Sequence, residues 1–333
     1  MYEYIGHPHQ IAGVEEVTLS HGKGKGMTLL NIRNGRGLEI TLLPDRCLDI
    51  ARVTFKGDNM GYFSPCGYVA PAYYDKDGAG FLKSFTAGFM TTCGIDAVGS
   101  PCTDEGEVLP LHGRIGNTPC ESYRYTEDEE EITAVGVVRD ATLFGRAYLL
   151  TRTYRISKCD NTFCVSDTVC NISNAIAPCM LLYHINLGYP LLSEEAKVFV
   201  PSTRVTPRNA HAGDHIDTCL QMEKPQADYE ECCYYHDVTA HDDLAAASVY
   251  NPLIRKGVRI SYGKTALPFF TQWKMMGVRE YVLGLEPGNC TPDGRDVLRR
   301  NGTLRELSPG ETYTTNITLT FSENMEDIQC LSI

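Results

Sequence analysis

The sequence predicts an all-β fold, and more closely a large antiparallel β-sandwich, from three observations. Apolar and polar residues alternate with a period of two over many short segments, which is typical of strands with one buried face. Residues that favour turns separate these segments at regular intervals. Amphipathic helices are scarce, and the Ala-rich stretch at residues 242–250 ends in β-branched and aromatic residues. A parallel sheet with crossover helices is therefore not expected.

The clearest predicted strand is residues 315–321, in which Ile317, Leu319 and Phe321 share one face. The same alternation, in segments rich in Val, Ile, Thr, Tyr or Phe, predicts strands at 38–42, 132–138, 150–156, 163–169 and 258–262. Turn-forming residues lie between them, at 34–35, 56–59, 127–129, 292–294 and 308–310. No linker, composition shift or fixed-period repeat divides the sequence, so a single domain over residues 1–333 is expected.

Composition and charge narrow the class of protein. Hydrophobic residues make up 43% of the 333 residues and charged residues 22%, which is enough apolar material for a substantial core. The net charge of −12 repels phosphate groups and anionic lipid, so neither nucleic acid nor a membrane surface is an expected partner. The sequence shows no secretory signal and no apolar run near the ~18 residues of a transmembrane helix. A cytoplasmic location with reduced cysteines is therefore expected.

Several common functional motifs do not occur. The glycines and lysines of residues 22–26 lack the spacing of a phosphate-binding loop, and there is no serine-hydrolase elbow, Cys-x-x-Cys pair or zincin helix. His211 and His215 could offer two imidazoles to a metal, but no third ligand stands at a telling distance. We therefore expect no metal and no cofactor. A cupin-like metal enzyme is an alternative that depends on the His211 and His215 cluster.

Three segments carry polar side chains that suit proton transfer. His112 lies in the turn-rich segment 109–117, His184 and Asn186 share one face of an apolar strand, and Glu286 ends another apolar run. Burying such groups costs several kcal/mol unless they are satisfied or used. Two histidines and a glutamate, with no nucleophile and no metal pattern, form a general acid/base set that can move protons between oxygen atoms. The opening of a sugar ring needs this chemistry.

These segments resemble the aldose 1-epimerase (galactose mutarotase) superfamily, and most closely its less-characterised aldose-1-epimerase-like branch. The family's Leu-His-Gly motif is matched by residues 111–113, its second histidine motif by 184–187, and its glutamate before proline by 285–287. The three motifs follow the family's order, and the resemblance covers nearly the whole chain. It implies a galactose mutarotase-like supersandwich in which the motifs converge in an open cleft on one sheet, with no cofactor.

The resemblance also implies a function, the interconversion of the α and β anomers of a small-molecule carbohydrate through ring opening. Glu286, ionised, would accept the proton of the anomeric hydroxyl, and His184, protonated, would donate to the ring oxygen. His112 would hydrogen-bond this region and stabilise the developing charge. The alternatives on the same fold are a non-catalytic carbohydrate-binding protein and a sugar isomerase or lyase.

The sequence departs from the family pattern upstream of His112. Family mutarotases carry an Asn-Arg-Ile segment there, whereas residues 91–96 contain no arginine. Arg114 is the expected replacement, and Asp237 is the expected counterpart of the family's sugar-binding aspartate. Aromatic side chains could stack on a sugar, although general burial of aromatic residues favours a core position for the single tryptophan. The candidate substrate-binding residues are Arg114, Asn186, Asp237, Trp273 and Tyr183.

Overall fold

β-Strands are the main secondary structure of residues 2–329, the part of the chain that the computed structural model describes. In chain order they are β1 (Gly13–Thr18), β2 (Thr28–Arg33), β3 (Leu38–Leu43), β4 (Asp49–Phe55), β5 (Asp58–Asn59), β6 (Tyr62–Phe63), β7 (Ala87–Gly88), β8 (Met90–Ile95), β9 (Cys102–Asp104), β10 (Glu107–Leu109), β11 (Ser122–Glu127), β12 (Glu131–Ala141) and β13 (Ala147–Ser157). The second half contributes β14 (Thr162–Asn171), β15 (Ala177–Pro178), β16 (Met180–Leu187), β17 (Lys197–Phe199), β18 (Ser202–Pro207), β19 (Cys232–Val238), β20 (Ala240–His241), β21 (Leu244–Asn251), β22 (Lys256–Gly263), β23 (Phe269–Gly277), β24 (Glu280–Gly288), β25 (Glu306–Leu307) and β26 (Thr312–Ser322).

Helical segments are short and lie between strands or at the ends of the described chain. The α-helices are α1 (Ala210–Asp214), α2 (Arg295–Arg300) and α3 (Met325–Ile328). The 3₁₀ turns are Tyr2–Tyr4, Pro8–Gln10, Pro71–Tyr73, Gly80–Lys83, Ile115–Asn117 and Ile216–Thr218. Among residues 2–329, no helix has the length and apolar character needed to span a bilayer.

Two large antiparallel sheets dominate the described residues. Sheet I has eleven strands in the order β1-β2-β3-β4-β8-β16-β24-β23-β19-β18, with β5 paired to β4. Sheet II has nine strands in the order β11-β12-β13-β14-β26-β22-β21-β17, with β20 paired to β21. The prediction of a large antiparallel β-sandwich is confirmed. Both sheets draw strands from both halves of the chain, which supports the single domain expected for residues 1–333; that division stays a prediction.

The period-two pattern located the strands correctly. Each of the six segments selected for alternation lies inside an observed strand, and in β12 and β13 every second residue is buried. The Ala-rich stretch 242–250, which was ambiguous in sequence, forms strand β21. Its alanines suit this strand because Ala245 and Ala247 are fully buried in the core, where a small side chain fits between the two sheets.

The core lies between the sheets and combines apolar side chains from both. Ile50 and Leu285 of sheet I belong to the same buried cluster as Ile156, Phe163 and Ile317 of sheet II. Burial of a large aliphatic or aromatic side chain contributes about 1.5–3 kcal/mol relative to exposure, so this shared layer holds the sheets together.

A buried ionic network crosses the same core. Arg152 of β13 is fully buried and donates to Asp167 of β14 (Nε–Oδ1, 2.9 Å) within sheet II. Across the sandwich it donates to Asp49 of β4 (Nη1–Oδ1, 2.6 Å) and to the hydroxyl of Thr92 of β8 (2.7 Å). Burial raises the pKa of Asp49, while the Arg152 guanidinium opposes that rise. Removing the cation would leave two buried carboxyl groups without their charge partner.

We expect Arg152→Met to lower the free energy of unfolding by about 3–5 kcal/mol, because the two aspartates would then lie unpaired in the core. Urea denaturation of both proteins measures the difference. Arg155→Met is the matched control, since Arg155 lies on the same strand with 67% of its side chain exposed and only a 4.0 Å contact to Glu131. The control should change stability by less than about 0.5 kcal/mol. A loss below about 1 kcal/mol for Arg152→Met would contradict the structural role of this network.

Candidate active site

His184 and Glu286 lie side by side at the centre of sheet I. They occupy the adjacent strands β16 and β24, in a register that pairs Ile185 with Leu285. Nδ1 of His184 is 3.3 Å from Oε1 of Glu286, and both side chains are buried. On the other side of β24, Thr271 of β23 pairs directly with Glu286. The sheet therefore fixes all three side chains in one row.

Gly284 makes room for the Glu286 carboxyl. It stands two residues earlier on the same face of β24, and a Cβ at this position would lie 2.2 Å from Oε1 of Glu286. Any larger residue would push the carboxyl away from its present place. The Leu-Gly-Leu-Glu sequence of residues 283–286 is therefore a local requirement of this geometry.

His112 reaches the same place from a tight turn after β10. Its own backbone has φ of 57°, and Gly113 follows with φ of 70°. A Cβ on Gly113 would lie 2.3 Å from the carbonyl oxygen of Gly94, so only glycine fits. The His112 amide donates to the carbonyl of Gly99 (2.9 Å), and its ring centroid is 5.5 Å from that of His184.

Four buried polar atoms in this row have no hydrogen-bond partner among the described residues: Nδ1 of His112, Nδ1 of His184, Oε1 of Glu286 and Oγ1 of Thr271. The His184–Glu286 contact is thus a close approach without hydrogen-bond geometry. Buried polar groups in folded proteins are nearly always partnered. Their clustering on one surface indicates a site that receives hydrogen bonds from a bound molecule.

Burial disfavours the charged forms of these groups. Burial raises the pKa of Glu286 well above its usual range; Glu231 adds to this rise and Arg208 opposes it. Burial also lowers the pKa of His184 to about 4. Part of His112 reaches solvent, but its ring nitrogen Nδ1 does not, and burial lowers its pKa as well. Both shifts favour the uncharged forms of Glu286 and His184, whereas the sequence predicts an ionised Glu286 and a protonated His184.

A cleft with a cavity volume of about 210 Å³ opens over these residues. It brings together all three predicted catalytic residues, His112, His184 and Glu286. The remaining lining residues come from sheet I and the loops around it: Phe81, Leu82, Phe85, Gly99, Ser100, Leu111, Arg208, Glu231, Cys233, Thr271, Trp273 and Pro292.

The two aromatic candidates exchange their expected positions. Trp273, expected in the core, is half-buried on β23 and lines the cleft, with its ring centroid 5.3 Å from that of His184. Its indole Nε1 donates to Oε2 of Glu231 at 2.6 Å. The proposal of Tyr183 as a sugar-stacking residue is wrong. Its ring points into the core, where the hydroxyl donates to Asp167, because neighbouring residues of a strand face opposite sides.

The two charged candidates for sugar binding lie elsewhere, which corrects both predictions. Arg114 donates to Asp140 (Nε–Oδ1, 2.7 Å) and borders a separate small pocket. Asp237 is exposed and accepts from Lys264 (2.7 Å) beyond the cleft. The guanidinium that does line the cleft belongs to Arg208, which follows β18.

Asn186 lies beside the cleft rather than in its lining. It occupies the same face of β16 as His184, is fully buried, and its Nδ2 donates to the backbone carbonyl of His184 at 2.8 Å. Contact with Asn186 opposes the lowering of the His184 pKa. Its position suits a residue that holds His184 in place rather than one that binds substrate.

The histidine cluster considered for a metal does not form a metal site in the described part of the chain. His211 and His215 lie on and just after helix α1, with ring centroids 4.9 Å apart. Within residues 2–329, no group of three or more metal-ligating side chains converges.

Sequence reasoning missed several residues that form the cleft, among them Arg208, Glu231, Phe81 and Phe85. They come from connections between strands, where period-two alternation carries no information on direction. A weak signal was available for Arg208, because Pro207 ends a strand and places the next residue in a loop.

Comparison with known proteins identifies the family and the fold of the chain. A family model described as “Domain of unknown function (DUF4432)” matches residues 24–321. The chain is similar to the structure of a “putative aldose 1-epimerase” from Klebsiella pneumoniae, with 29% identity, a TM-score of 0.87, and coverage of 92% of this chain and 83% of that chain. No curated protein sequence matches it.

More distant structures share the fold. A galactose mutarotase-like protein from Clostridium acetobutylicum has 12% identity and a TM-score of 0.66, covering 94% of this chain and 99% of its own. Galactose 1-epimerase from Lactobacillus acidophilus has 13% identity and a TM-score of 0.62, covering 93% and 99%. The resemblance inferred from three short motifs is thereby confirmed at the level of the fold. The chain belongs to the DUF4432 family and has the galactose mutarotase-like β-sandwich fold of the aldose 1-epimerase superfamily.

Proposed function

We propose that this protein is a sugar mutarotase that interconverts the α and β anomers of an aldose by opening and closing its ring. The observation that carries the proposal is the unpartnered pair of His184 and Glu286, 3.3 Å apart at the base of the cleft. Ring opening needs one group that accepts a proton from an oxygen and one that donates a proton to another. A neutral imidazole and a protonated carboxyl group meet both needs without a cofactor.

In the opening step, the imidazole of His184 accepts the proton of the anomeric hydroxyl as the carbon–oxygen double bond forms. The bond between the anomeric carbon and the ring oxygen breaks, and the Glu286 carboxyl gives its proton to that oxygen. The step produces an open-chain aldehyde, an imidazolium and a carboxylate. His112, whose ring centroid lies 5.5 Å from that of His184, would hydrogen-bond the oxygen on which charge develops.

In the closing step, rotation about the bond next to the aldehyde presents its other face to the former ring oxygen. The Glu286 carboxylate takes the hydroxyl proton as that oxygen attacks, and the His184 imidazolium protonates the aldehyde oxygen. Closure yields the other anomer and restores the neutral pair. The charge assignment first inferred from sequence therefore corresponds to the state of the pair in the middle of the cycle.

Anomer exchange separates an enzyme from a carbohydrate-binding protein, because both bind sugar but only an enzyme accelerates exchange. Saturation-transfer NMR on neutral aldoses and deoxy sugars should show faster exchange for at least one sugar at neutral pH. Tight binding of a sugar without any change in exchange would instead establish the binding-only function.

Glu286→Gln should lower the turnover number by about 10²–10⁴-fold with little change in KM, because the amide keeps the shape but cannot exchange a proton. His184→Asn should have an effect of similar size, and His112→Asn a smaller one, since His112 supplies only a hydrogen bond. Saturation-transfer NMR measures all three. Glu280→Gln, at the exposed start of the same strand, is the matched control and should keep wild-type turnover. Wild-type rates in Glu286→Gln would mean that the carboxyl group is structural.

The pH dependence of kcat/KM should be bell-shaped, because the active pair carries one transferable proton. Below about pH 4 the His184 imidazole binds a second proton and can no longer accept one. Above the raised pKa of Glu286 the carboxyl group loses the proton that it donates to the ring oxygen, so activity falls on the alkaline side. In Glu286→Gln the alkaline limb should disappear. An alkaline limb unchanged in that variant would assign it to another group.

A further inference from the structure

The cleft has two chemically different surfaces. One is the row of polar side chains that carries the unpartnered atoms of His112, His184, Glu286 and Thr271. The other, which we name the apolar wall, has only carbon atoms in its side chains and consists of Phe81, Leu82, Phe85 and Leu111. Three of its four residues come from the segment around the 3₁₀ turn Gly80–Lys83.

The apolar wall begins directly beside the catalytic histidines. The ring centroids of Phe81 and Phe85 are 5.0 Å apart; that of Phe81 is 5.4 Å from His112, and that of Phe85 is 5.3 Å from His184. A sugar whose anomeric carbon meets the histidines would therefore place a neighbouring edge against this wall. Both phenylalanines are buried among their neighbours, which holds the wall in place.

Leu82 is the exposed part of this wall. Its exposed fraction is 55% although it borders the cleft, so a bound molecule would cover apolar surface that now faces water. Covering such surface is favourable only if the covering group is itself apolar. A hydroxyl held against the wall would lose its hydrogen bonds to water and gain none from these side chains.

The charges in the cleft argue against an anionic group as an alternative occupant. Arg208 already donates to Ser100 (2.8 Å) and to the carbonyl of Pro292 (3.1 Å), and it lies 3.5 Å from Asp293. Glu231 also lines the cleft, so the guanidinium is offset by nearby carboxylates. A phosphate or carboxylate would find no uncompensated positive charge here.

We propose that the substrate is a neutral deoxy sugar whose methyl or methylene group, in place of a hydroxyl, lies against the apolar wall. This inference rests on the proposed function, because it deepens the role of the same cleft. Trp273 offers a flat surface for the C–H face of any sugar. The apolar wall instead contacts one edge of the sugar and discriminates between the substituents at that edge. The hydroxyls of the sugar would satisfy the polar row on the other side.

Pairs of sugars that differ only in one hydroxyl test the proposal. Suitable pairs are D-galactose with 6-deoxy-D-galactose and L-mannose with 6-deoxy-L-mannose, measured by saturation-transfer NMR for exchange and by calorimetry for affinity. In at least one pair the deoxy member should have a kcat/KM about 10–100-fold higher, the range in which an apolar pocket discriminates small groups.

A variant of the wall localises the effect. Leu82→Asn supplies a hydrogen-bonding group at the exposed part of the wall and should reduce the preference for the deoxy sugar at least threefold. Leu253→Asn is the matched control, because Leu253 is an exposed leucine outside the cleft, with 71% of its surface accessible. The control should leave the preference unchanged.

The outcomes separate this inference from the function on which it rests. If exchange is accelerated but the hydroxylated member of every pair is used equally well or better, the deoxy preference is wrong and the mutarotase function stands. If no sugar shows faster exchange, calorimetry decides: tighter binding of a deoxy member keeps the inference and removes the enzyme. Equal binding, or no binding of either member of any pair, overturns the inference.

Discussion

The position of strand β16, which carries His184, depends on the buried ionic network around Arg152. Asp167 accepts hydrogen bonds from both Arg152 and Tyr183, so the guanidinium of sheet II fixes a residue of β16 in sheet I. The next residue along that strand is His184, which points to the opposite face and into the cleft. The same side-chain alternation that builds the core therefore aims the imidazole. Disturbing the network would shift the site without touching any residue that lines it.

Desolvation gives the site its chemistry. An exposed histidine and glutamate would form an ion pair at neutral pH, with the proton on the imidazole. In this sheet both side chains are buried, and burial penalises the charged form of each, which favours the proton on the carboxyl group. Both arrangements carry the same number of protons. The protein thus places a proton donor and a proton acceptor 3.3 Å apart. The two groups can exchange these roles without any change in the number of protons that the pair binds.

The sequence predicts features that depend on neighbouring residues, and it does not predict features that depend on residues distant along the chain. Period-two alternation located the strands, and the three short motifs identified His112, His184 and Glu286, which the structure brings together. The choice of Tyr183 conflicts with the same alternation, since Tyr183 adjoins His184 on the strand and must face the other way. Protonation could not be read from sequence, because burial arises from residues distant along the chain. The same holds for Arg208, whose place depends on how the loops between strands converge.

The arginine shows how the fold permits a change in site composition. The resemblance predicts a guanidinium upstream of His112, whereas the guanidinium that lines the cleft is that of Arg208, almost a hundred residues downstream, just after β18. Sheet I makes this possible because β18, β19 and β23 continue from the strands that carry His184 and Glu286, so a loop at that edge reaches the same cleft. The position of a charge in the site is therefore determined by the neighbours of a strand in the sheet rather than by order along the chain. A change of this kind leaves His184 and Glu286 in place while it alters the surface of the rest of the cleft.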